Sequence, residues 1–256
     1  MNTFSTYRAR QLVGMSLAQI AALPDKARAT VLVAAGAIEQ HGPHLPVAVD
    51  ALMGEVWLAR ALALLPATAA CYVAPPLTIG KSNEHTGFPG TLTVSKETLR
   101  AQLLALARQL HAWGFRRLAV LNNHGGNAAV LTYVLREIAA AHAMHAELLR
   151  PQFDFGLTLQ EAKFGFHAGE LETAWMLAVA GEHTDMTQVR GEFPARLDAP
   201  GQLRPEAAPA RFAWITQDVS SSGIMGDATA ATREKGERWL AHGAERIAAA
   251  ILALGD

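Results

Sequence analysis

The chain has 256 residues, of which 50% are hydrophobic and 18% are charged, and its formal net charge is -1. This balance offers no basic surface for nucleic acid or an anionic membrane, and the hydrophobic content excludes a disordered chain. We therefore expect one globular domain over residues 1–256, whose partner is a small molecule or another copy of itself.

The only cysteine, Cys71, excludes an intramolecular disulfide and fits a buried strand in a reducing cytoplasm. The amino-terminal sequence has no apolar stretch of signal-peptide length. The most apolar region, residues 61–77, is interrupted by Pro66, Pro75 and Pro76. No membrane span is predicted, and a cytoplasmic protein is expected.

Apolar runs of strand length alternate with longer stretches of helical periodicity, a pattern typical of an α/β fold with a mainly parallel sheet. Strands are predicted at residues 31–37, 71–77, 117–122 and 145–150. Helices are predicted at residues 51–65, 95–114, 127–142, 170–180 and 228–253. Residues 182–226 are rich in Pro, Gly and Ser, which predicts irregular structure with one short strand near 212–216. A loop region of that length is often a binding loop or an oligomer contact.

Polar motifs follow the first three predicted strands. The first strand leads to residues 39–44, the second to residues 81–85 and the third to residues 122–127. Ligands bind at the carboxyl ends of strands in open parallel sheets. Three strands are therefore predicted to deliver carboxylate or imidazole groups to one edge of the sheet.

The first motif is Glu39-x-His41, with Asp50 nine residues after the histidine. In an extended segment Glu39 and His41 point to the same side, and the turn that follows lets Asp50 return to them. Such carboxylate and imidazole groups are ligands for Zn, Mn or Fe, and an aspartate can bridge two ions. The alternative is that His41 and His44 brace a loop while Asp50 caps the next helix.

The second motif, residues 123–127, places His124 between a strand and a helix, next to two glycines. Those glycines let the backbone approach a ligand or adopt a positive φ. The chain lacks the GxGxxG and P-loop patterns, so a nucleotide site is not predicted here. The alternative is a tight turn with a solvent-facing histidine.

The third motif, residues 167–173, opens a predicted helix with one histidine and two glutamates. On a helix, His167 and Glu170 would share a face, whereas Glu172 would point elsewhere. The alternative is that the helix dipole alone favours these acidic residues. In the loop after the second strand, Ser82 and Glu84 are candidate substrate contacts, but no GxSxG motif surrounds Ser82.

Taken together, the motifs resemble the creatininase family in their order and spacing. The matching segments are Glu39-Gln-His-Gly-Pro-His-Leu-Pro with Asp50, Phe88-Pro-Gly-Thr, His124-Gly-Gly-Asn127 and His167-Ala-Gly-Glu-x-Glu-Thr173. The resemblance covers roughly residues 30–245. It implies a three-layer α/β/α fold, a centre of two divalent metal ions per chain and a homo-oligomer that is commonly a hexamer. Zinc is the first expectation for the ions, with manganese or iron as alternatives.

The resemblance also implies a ligand set. Glu39, Asp50 and His124 would hold one ion, and His41 and a bridging Asp50 would hold the other together with one more carboxylate. In creatinine amidohydrolases proper that carboxylate is a glutamate at the position of Gly126, which argues against creatinine as the substrate. Family members with the His-Gly-Gly-Asn form carry an extra glutamate matching Glu170, and we predict that Glu170 fills the vacancy. The sequence leaves open whether Glu172 does so instead.

The resulting hypothesis is an amidohydrolase in which a metal-bridging hydroxide attacks a C–N bond of a small cyclic amide or formamide. His167 would carry the proton to the leaving nitrogen, and Glu172 would support the centre. Ser82 and Glu84 would contact the substrate. The alternatives are a metallopeptidase or a hydrolase of carbon–carbon bonds on the same centre, a metal-dependent phosphoesterase, and a non-catalytic metal-binding protein.

Overall fold

A four-stranded parallel sheet with strand order β2-β1-β3-β4 lies at the centre of the fold. The computed structural model describes residues 9–194 and 214–254 of the chain. The strands are β1 (Thr30–Ala35), β2 (Cys71–Val73), β3 (Arg117–Asn122) and β4 (His145–Leu148). Each neighbouring pair is parallel, and Thr30 lies opposite both Cys71 and Arg117. The predicted α/β class with a mainly parallel sheet is confirmed.

Helices cover both faces of this sheet. They are α1 (Leu17–Ala22), α2 (Val49–Leu64), α3 (Lys96–Ala112), α4 (Ala128–His142), α5 (Leu159–Phe164), α6 (Glu170–Ala180), α7 (Thr216–Val219) and α8 (Arg233–Ala253). Within β1, Leu32 and Ala34 pack with α2, α6 and α8, whereas Val31 and Val33 pack with α3 and α4. Alternate residues of a strand point to opposite faces, so the strand and its two covering layers form the expected three-layer α/β/α architecture.

The second strand is shorter than predicted. It ends at Val73, and beyond it only an isolated parallel bridge joins Leu77 to Ala35. Pro75 and Pro76 have no backbone N–H to donate, so they interrupt the ladder between these two points. The prediction that the prolines end this strand is correct, and the predicted range 71–77 is too long.

The region predicted to be irregular contains some regular structure. Strands β5 (Gly191–Glu192) and β6 (Gly226–Asp227) pair in an antiparallel ribbon. Residues 212–213 of the short strand predicted near 212–216 lie outside the described residues. Trp214 and Ile215 have no regular structure, and Thr216 begins α7, so the described part of that prediction is wrong.

The last helix also begins later than predicted. A 3-10 turn over Ala228–Ala230 precedes α8, which starts only at Arg233. The hydroxyl of Thr232 accepts a hydrogen bond from the N–H of Lys235, a typical amino-terminal cap. In the described ranges, none of the helices combines the length and the apolarity needed to cross a membrane.

Gly36, directly after β1, brings the start of α2 against the sheet. A Cβ atom on Gly36 would lie 2.7 Å from the carbonyl carbon of Asp50 and 2.7 Å from the amide nitrogen of Ala51. The backbone of α2 therefore approaches β1 more closely than any side chain at this position would allow.

The Gly36→Ala variant should be destabilised by about 2 kcal/mol, because the new methyl group overlaps backbone rather than a movable side chain. Urea unfolding followed by circular dichroism measures this loss. Gly156→Ala is the control, since nothing lies within 4 Å of a Cβ built there and only its positive φ opposes the change. Equal stability of Gly36→Ala and the wild-type protein would contradict the close approach.

Candidate metal centre

Five side chains meet at the carboxyl ends of β1 and β3. Glu39 and His41 follow β1, and His124 follows β3. Asp50 lies in the first turn of α2, and Glu172 lies in the first turn of α6. All except Glu172 are buried, and Glu172 keeps 19% of its side chain exposed. The structure thus collects potential metal ligands from four segments that are distant in sequence.

Glu39, Asp50 and His124 form the first cluster of potential ligands. Their ligand atoms all lie within 4.8 Å of one another. Nδ1 of His124 is 3.3 Å from Oε2 of Glu39 and 3.3 Å from Oδ2 of Asp50. The structure therefore brings together the three residues that the sequence predicts as ligands of the first ion.

His41, Asp50 and Glu172 form the second cluster. Nε2 of His41 is 3.3 Å from Oδ1 of Asp50 and 3.6 Å from Oε2 of Glu172. Asp50 thus turns one carboxylate oxygen to each cluster, which is the arrangement expected of a carboxylate that bridges two ions.

Backbone carbonyls fix the imidazole tautomers in both clusters. Nδ1 of His41 lies 3.0 Å from the carbonyl oxygen of Glu39, and Nε2 of His124 lies 3.0 Å from that of Lys81. A carbonyl oxygen can only accept, so each of these ring nitrogens carries the hydrogen. The other nitrogen of each ring faces its cluster and can offer a lone pair to a cation once it has lost its proton, as in histidines that bind metals.

Several of the inward-facing atoms have no hydrogen-bond partner among the residues that the structure describes. They are Oε2 of Glu39, Nε2 of His41 and Oδ2 of Asp50. Burying such groups without a partner is costly, and native proteins rarely leave them so. Divalent cations would satisfy all three atoms, so the residues present fit the metal centre that the sequence predicts.

The carboxylates of the two clusters raise the pKa values of the histidines beside them. Burial lowers the pKa of His41, but Asp50 and Glu172 outweigh it and raise that pKa to about 10. For His124, burial is outweighed by Glu39 and Asp50, and the pKa is well above its ordinary value. Burial alone would raise the pKa of Asp50, but the two histidines hold it below its ordinary value. A cation must therefore displace a proton from each imidazole.

Glu170 is not brought into either cluster, although the sequence predicts it as a metal ligand. Its Oε1 accepts a hydrogen bond of 2.5 Å from Nζ of Lys235 in α8. The prediction rests on the resemblance and on a shared helical face of His167 and Glu170, but α6 begins at Glu170, its predicted first residue, and does not include His167. His167 lies before the helix, in an antiparallel bridge with Met225. Residues two apart at a helix start point in different directions, so Glu172 faces the cluster and Glu170 faces α8.

His167 lies beside the first cluster as part of a stack of imidazoles. Its ring centroid is 4.3 Å from that of His41 and 4.2 Å from that of His85. Its Nδ1 is 3.7 Å from Oε1 of Glu39, and its Nε2 is 2.7 Å from the carbonyl oxygen of Gln40. Burial, His41 and His85 hold the pKa of His167 well below its ordinary value. The imidazole is therefore neutral near pH 7.

Two residues of this environment have no role in the sequence prediction. Nε2 of His85 is 3.5 Å from Oε1 of Glu39, and the side-chain nitrogen of Gln40 is 2.9 Å from Nδ1 of His85. Both residues belong to motifs that the sequence singles out as polar loops. Only the three-dimensional arrangement shows that they surround Glu39.

Ser82 and Glu84, the predicted substrate contacts, instead lie against His124. The side chain of Ser82 is buried, with Oγ 3.2 Å from Nε2 of His124, and Oε1 of Glu84 is 3.7 Å from that nitrogen. A Cβ on Gly126 would lie 2.2 Å from the carbonyl oxygen of Lys81 and 2.5 Å from Oε1 of Glu84. No side chain fits at Gly126 without rearrangement of this loop, in keeping with the absence of a glutamate there.

A cavity of about 690 Å³ opens beside the two clusters. Asp50, His124 and Glu172 line it, whereas His167, Ser82 and Glu84 do not. His167 borders a separate, smaller cavity of about 70 Å³, which Glu172 also lines. The large cavity gives a ligand direct access to the groups that face both clusters.

Comparisons with known proteins place the chain in a family. A family model described as creatinine amidohydrolase (creatininase) matches residues 14–251. The chain is 33% identical over 211 residues to the mycofactocin precursor peptide peptidase of Mycolicibacterium smegmatis, covering 81% of this chain and 78% of that protein. It is 30% identical over 241 residues to creatinine amidohydrolase of Pseudomonas putida, covering 86% and 88% of the two chains. A solved structure described as creatininase Mn superposes with a TM-score of 0.75 at 24% identity, over 95% of this chain and 98% of that one.

Glu172→Gln should remove about half of the bound metal, because it neutralises a carboxylate of the second cluster while leaving Glu39, Asp50 and His124 in place. Glu170→Gln is the matched control and should keep the wild-type metal content, since its carboxylate contacts Lys235. Elemental analysis after reconstitution with Zn²⁺ gives the metal content per chain of both variants. The reverse result, with metal lost only in Glu170→Gln, would restore the ligand set predicted from sequence.

The apparent affinity of the metal-free protein for Zn²⁺ should rise with pH and level off near pH 10, where His41 loses its proton. A lower pH favours the protonated imidazole, which competes with the cation for the same nitrogen. Competition against a chromophoric chelator, corrected for protonation of the chelator, measures this dependence. A constant affinity between about pH 7 and 9 would contradict the proton-for-metal exchange.

Proposed function

The chain belongs to the creatininase family, and from this membership and the geometry of the site we propose that it is a hydrolase of amide C–N bonds with two metal ions. The observation that carries the proposal is the pair of clusters that share Asp50. In these clusters, buried carboxylate and imidazole atoms face one another, and Oε2 of Glu39, Nε2 of His41 and Oδ2 of Asp50 have no hydrogen-bond partner among the described residues. A site that held metal only for structure would be closed to ligands, whereas Asp50, His124 and Glu172 line a wide cavity.

In this proposal Glu39, Asp50 and His124 hold one ion, and His41, Asp50 and Glu172 hold the other. The bound cations would lower the pKa of a water molecule and polarise the scissile carbonyl group. Glu172 takes the place that the sequence prediction gives to Glu170.

The surrounding residues keep the ligands in position. The carbonyl oxygens of Glu39 and Lys81 hold the two imidazoles by their N–H groups, so their lone pairs stay directed at the cations. The N–H of Ala168 donates to Oε2 of Glu172 at 2.6 Å and fixes that carboxylate. Ligand orientation of this kind limits the reorganisation that the reaction requires.

The proton for the leaving nitrogen has two candidate carriers. Without a cation, burial raises the pKa of Glu172 to about 7 despite the opposing effect of His41. A cation bound at the second cluster would lower this pKa and keep the carboxylate deprotonated. Glu172 also lines the large cavity, whereas His167 does not. A carboxylate bound to a cation cannot also store this proton, so we propose that His167, whose Nδ1 approaches Oε1 of Glu39 at 3.7 Å, carries it.

The similarity to a peptidase favours a peptide substrate, and the cavity has room for a short one. Its volume of about 690 Å³ lies near the middle of the range for small-molecule pockets, roughly 300–1,000 Å³. The relative from Mycolicibacterium smegmatis is named for cleavage of a peptide. A small cyclic amide or formamide is the second candidate, favoured by the similarity to creatinine amidohydrolase of Pseudomonas putida. The hexamer implied by the resemblance stays a prediction.

Zinc- or manganese-loaded protein should cleave members of a peptide library, whereas chelated protein and the Asp50→Ala variant should lose at least about a thousandfold of this activity. Asp50→Ala removes the carboxylate common to both clusters, so metal content should fall with it. Mass spectrometry of the products, with creatinine and formamide tested in parallel, separates the peptide from the small amides.

Glu245→Gln is the control for this experiment, because Glu245 is exposed on α8 and lies away from the cavity. It should keep both metal and activity. Full hydrolysis by the chelated protein would contradict the proposal, and so would an Asp50→Ala variant that retains activity.

A further inference from the structure

Two arginines line the large cavity in addition to the groups that face the metal clusters. Arg136 comes from α4, and Arg150 follows β4. Within residues 9–194 and 214–254, no hydrogen bond or ion pair engages either guanidinium group. Both are exposed and are therefore free to bind a ligand in the cavity.

The acidic residues next to these arginines are already paired with other groups. Glu137, adjacent to Arg136, accepts hydrogen bonds of 3.0 and 2.8 Å from Arg100 of α3. Glu147, in the strand that precedes Arg150, lies 2.7 Å from Nε2 of His145. The positive charges of Arg136 and Arg150 are thus left uncompensated by their sequence neighbours.

The remaining charges of the cavity wall are Asp50 and Glu172, and the proposed function assigns both to metal ions. Two divalent cations would outweigh the carboxylates of Glu39, Asp50 and Glu172, so a ligand would meet the two arginines without any uncompensated negative charge in the wall. A guanidinium group binds a carboxylate through two parallel hydrogen bonds, so an acidic ligand suits this wall better than a neutral or basic one.

Aromatic side chains line the same cavity. Trp57 and Trp175 meet edge to face at 5.3 Å, and Phe153 stacks on Trp57 at 6.2 Å. Phe153 is 42% exposed and Tyr133 is 68% exposed, which is high for rings of this size. The cavity wall therefore combines an apolar surface with two arginine side chains that have no partner among the described residues.

We propose that Arg136 and Arg150 select an amide substrate that carries a carboxylate group together with an apolar side chain. The inference deepens the proposed function by naming the chemistry of the substrate at the same site. The carboxylate binds the two guanidinium groups, and the apolar side chain packs on the rings of Trp57, Phe153 and Trp175. This binding holds the amide bond beside Asp50 and Glu172.

Isothermal titration with three related probes tests the proposal. They are N-acetylphenylalanine with a terminal carboxylate, its neutral amide, and an N-acetyl-aspartyl-phenylalanine amide with a side-chain carboxylate. Each is titrated into zinc-loaded and into chelated protein. The wild-type protein should bind at least one of the acids about tenfold more tightly than the neutral amide, as expected for a charge-assisted hydrogen bond at a partly exposed site.

The double variant Arg136→Gln/Arg150→Gln should lose this tenfold preference while it unfolds at the wild-type temperature, since neither side chain has a partner in the described part of the chain. Arg108→Gln is the matched control, because Arg108 is exposed on α3 and does not line the cavity. It should keep the preference. The acid that binds more tightly shows whether the carboxylate comes from a chain terminus or from a side chain.

Equal affinity for acids and neutral amide in the wild-type protein would overturn the inference, as would a preference that survives in the double variant. The chelated protein separates this result from the proposed function. An arginine-dependent preference in protein that never hydrolyses an amide would refute the activity and leave the carboxylate site standing. Hydrolysis without the preference would refute only the carboxylate site.

Discussion

The concentration of buried carboxylates around Asp50 is the constraint on which the rest of the site depends. Glu39 and Asp50 are almost fully buried, and in the described part of the chain their ion-pair partners are imidazoles rather than lysine or arginine. Buried negative charge of this kind needs positive charge nearby. Protonated histidines provide it in the absence of metal, and divalent cations would provide it in their presence. The same arrangement therefore explains the raised pKa values of His41 and His124 and the proposed chemistry.

The fold supplies this arrangement through close backbone approaches. The missing side chain of Gly36 lets α2 place Asp50 beside the end of β1, and that of Gly126 lets the loop after β3 lie against Lys81. Carbonyl oxygens of the same loops then orient the imidazoles. The position of each potential ligand thus follows from main-chain geometry, which is stiffer than contacts between flexible side chains.

The sequence predicts the fold and the first cluster well for a physical reason. The strands are continuous apolar runs that end in polar motifs, so the order of strands brings Glu39 and His124 to one edge of a parallel sheet. The bounds of α6 agree with the prediction, but the choice between Glu170 and Glu172 depends on which side of α6 packs against α8. That is a tertiary contact, which no local pattern describes. The proximity of His85 to Glu39 depends on the path of a loop, which no periodic pattern describes.

The ion pair between Glu170 and Lys235 has a consequence for the order in which the protein matures. The first cluster uses segments that end at His124, whereas Glu172 lies on a helix that packs along α8 and is joined to it by this pair. During synthesis on the ribosome, the ligands of the first cluster emerge well before α8. Since α2, which carries Asp50, and α6, which carries Glu172, both pack on α8, both clusters would be completed only when this last helix has docked.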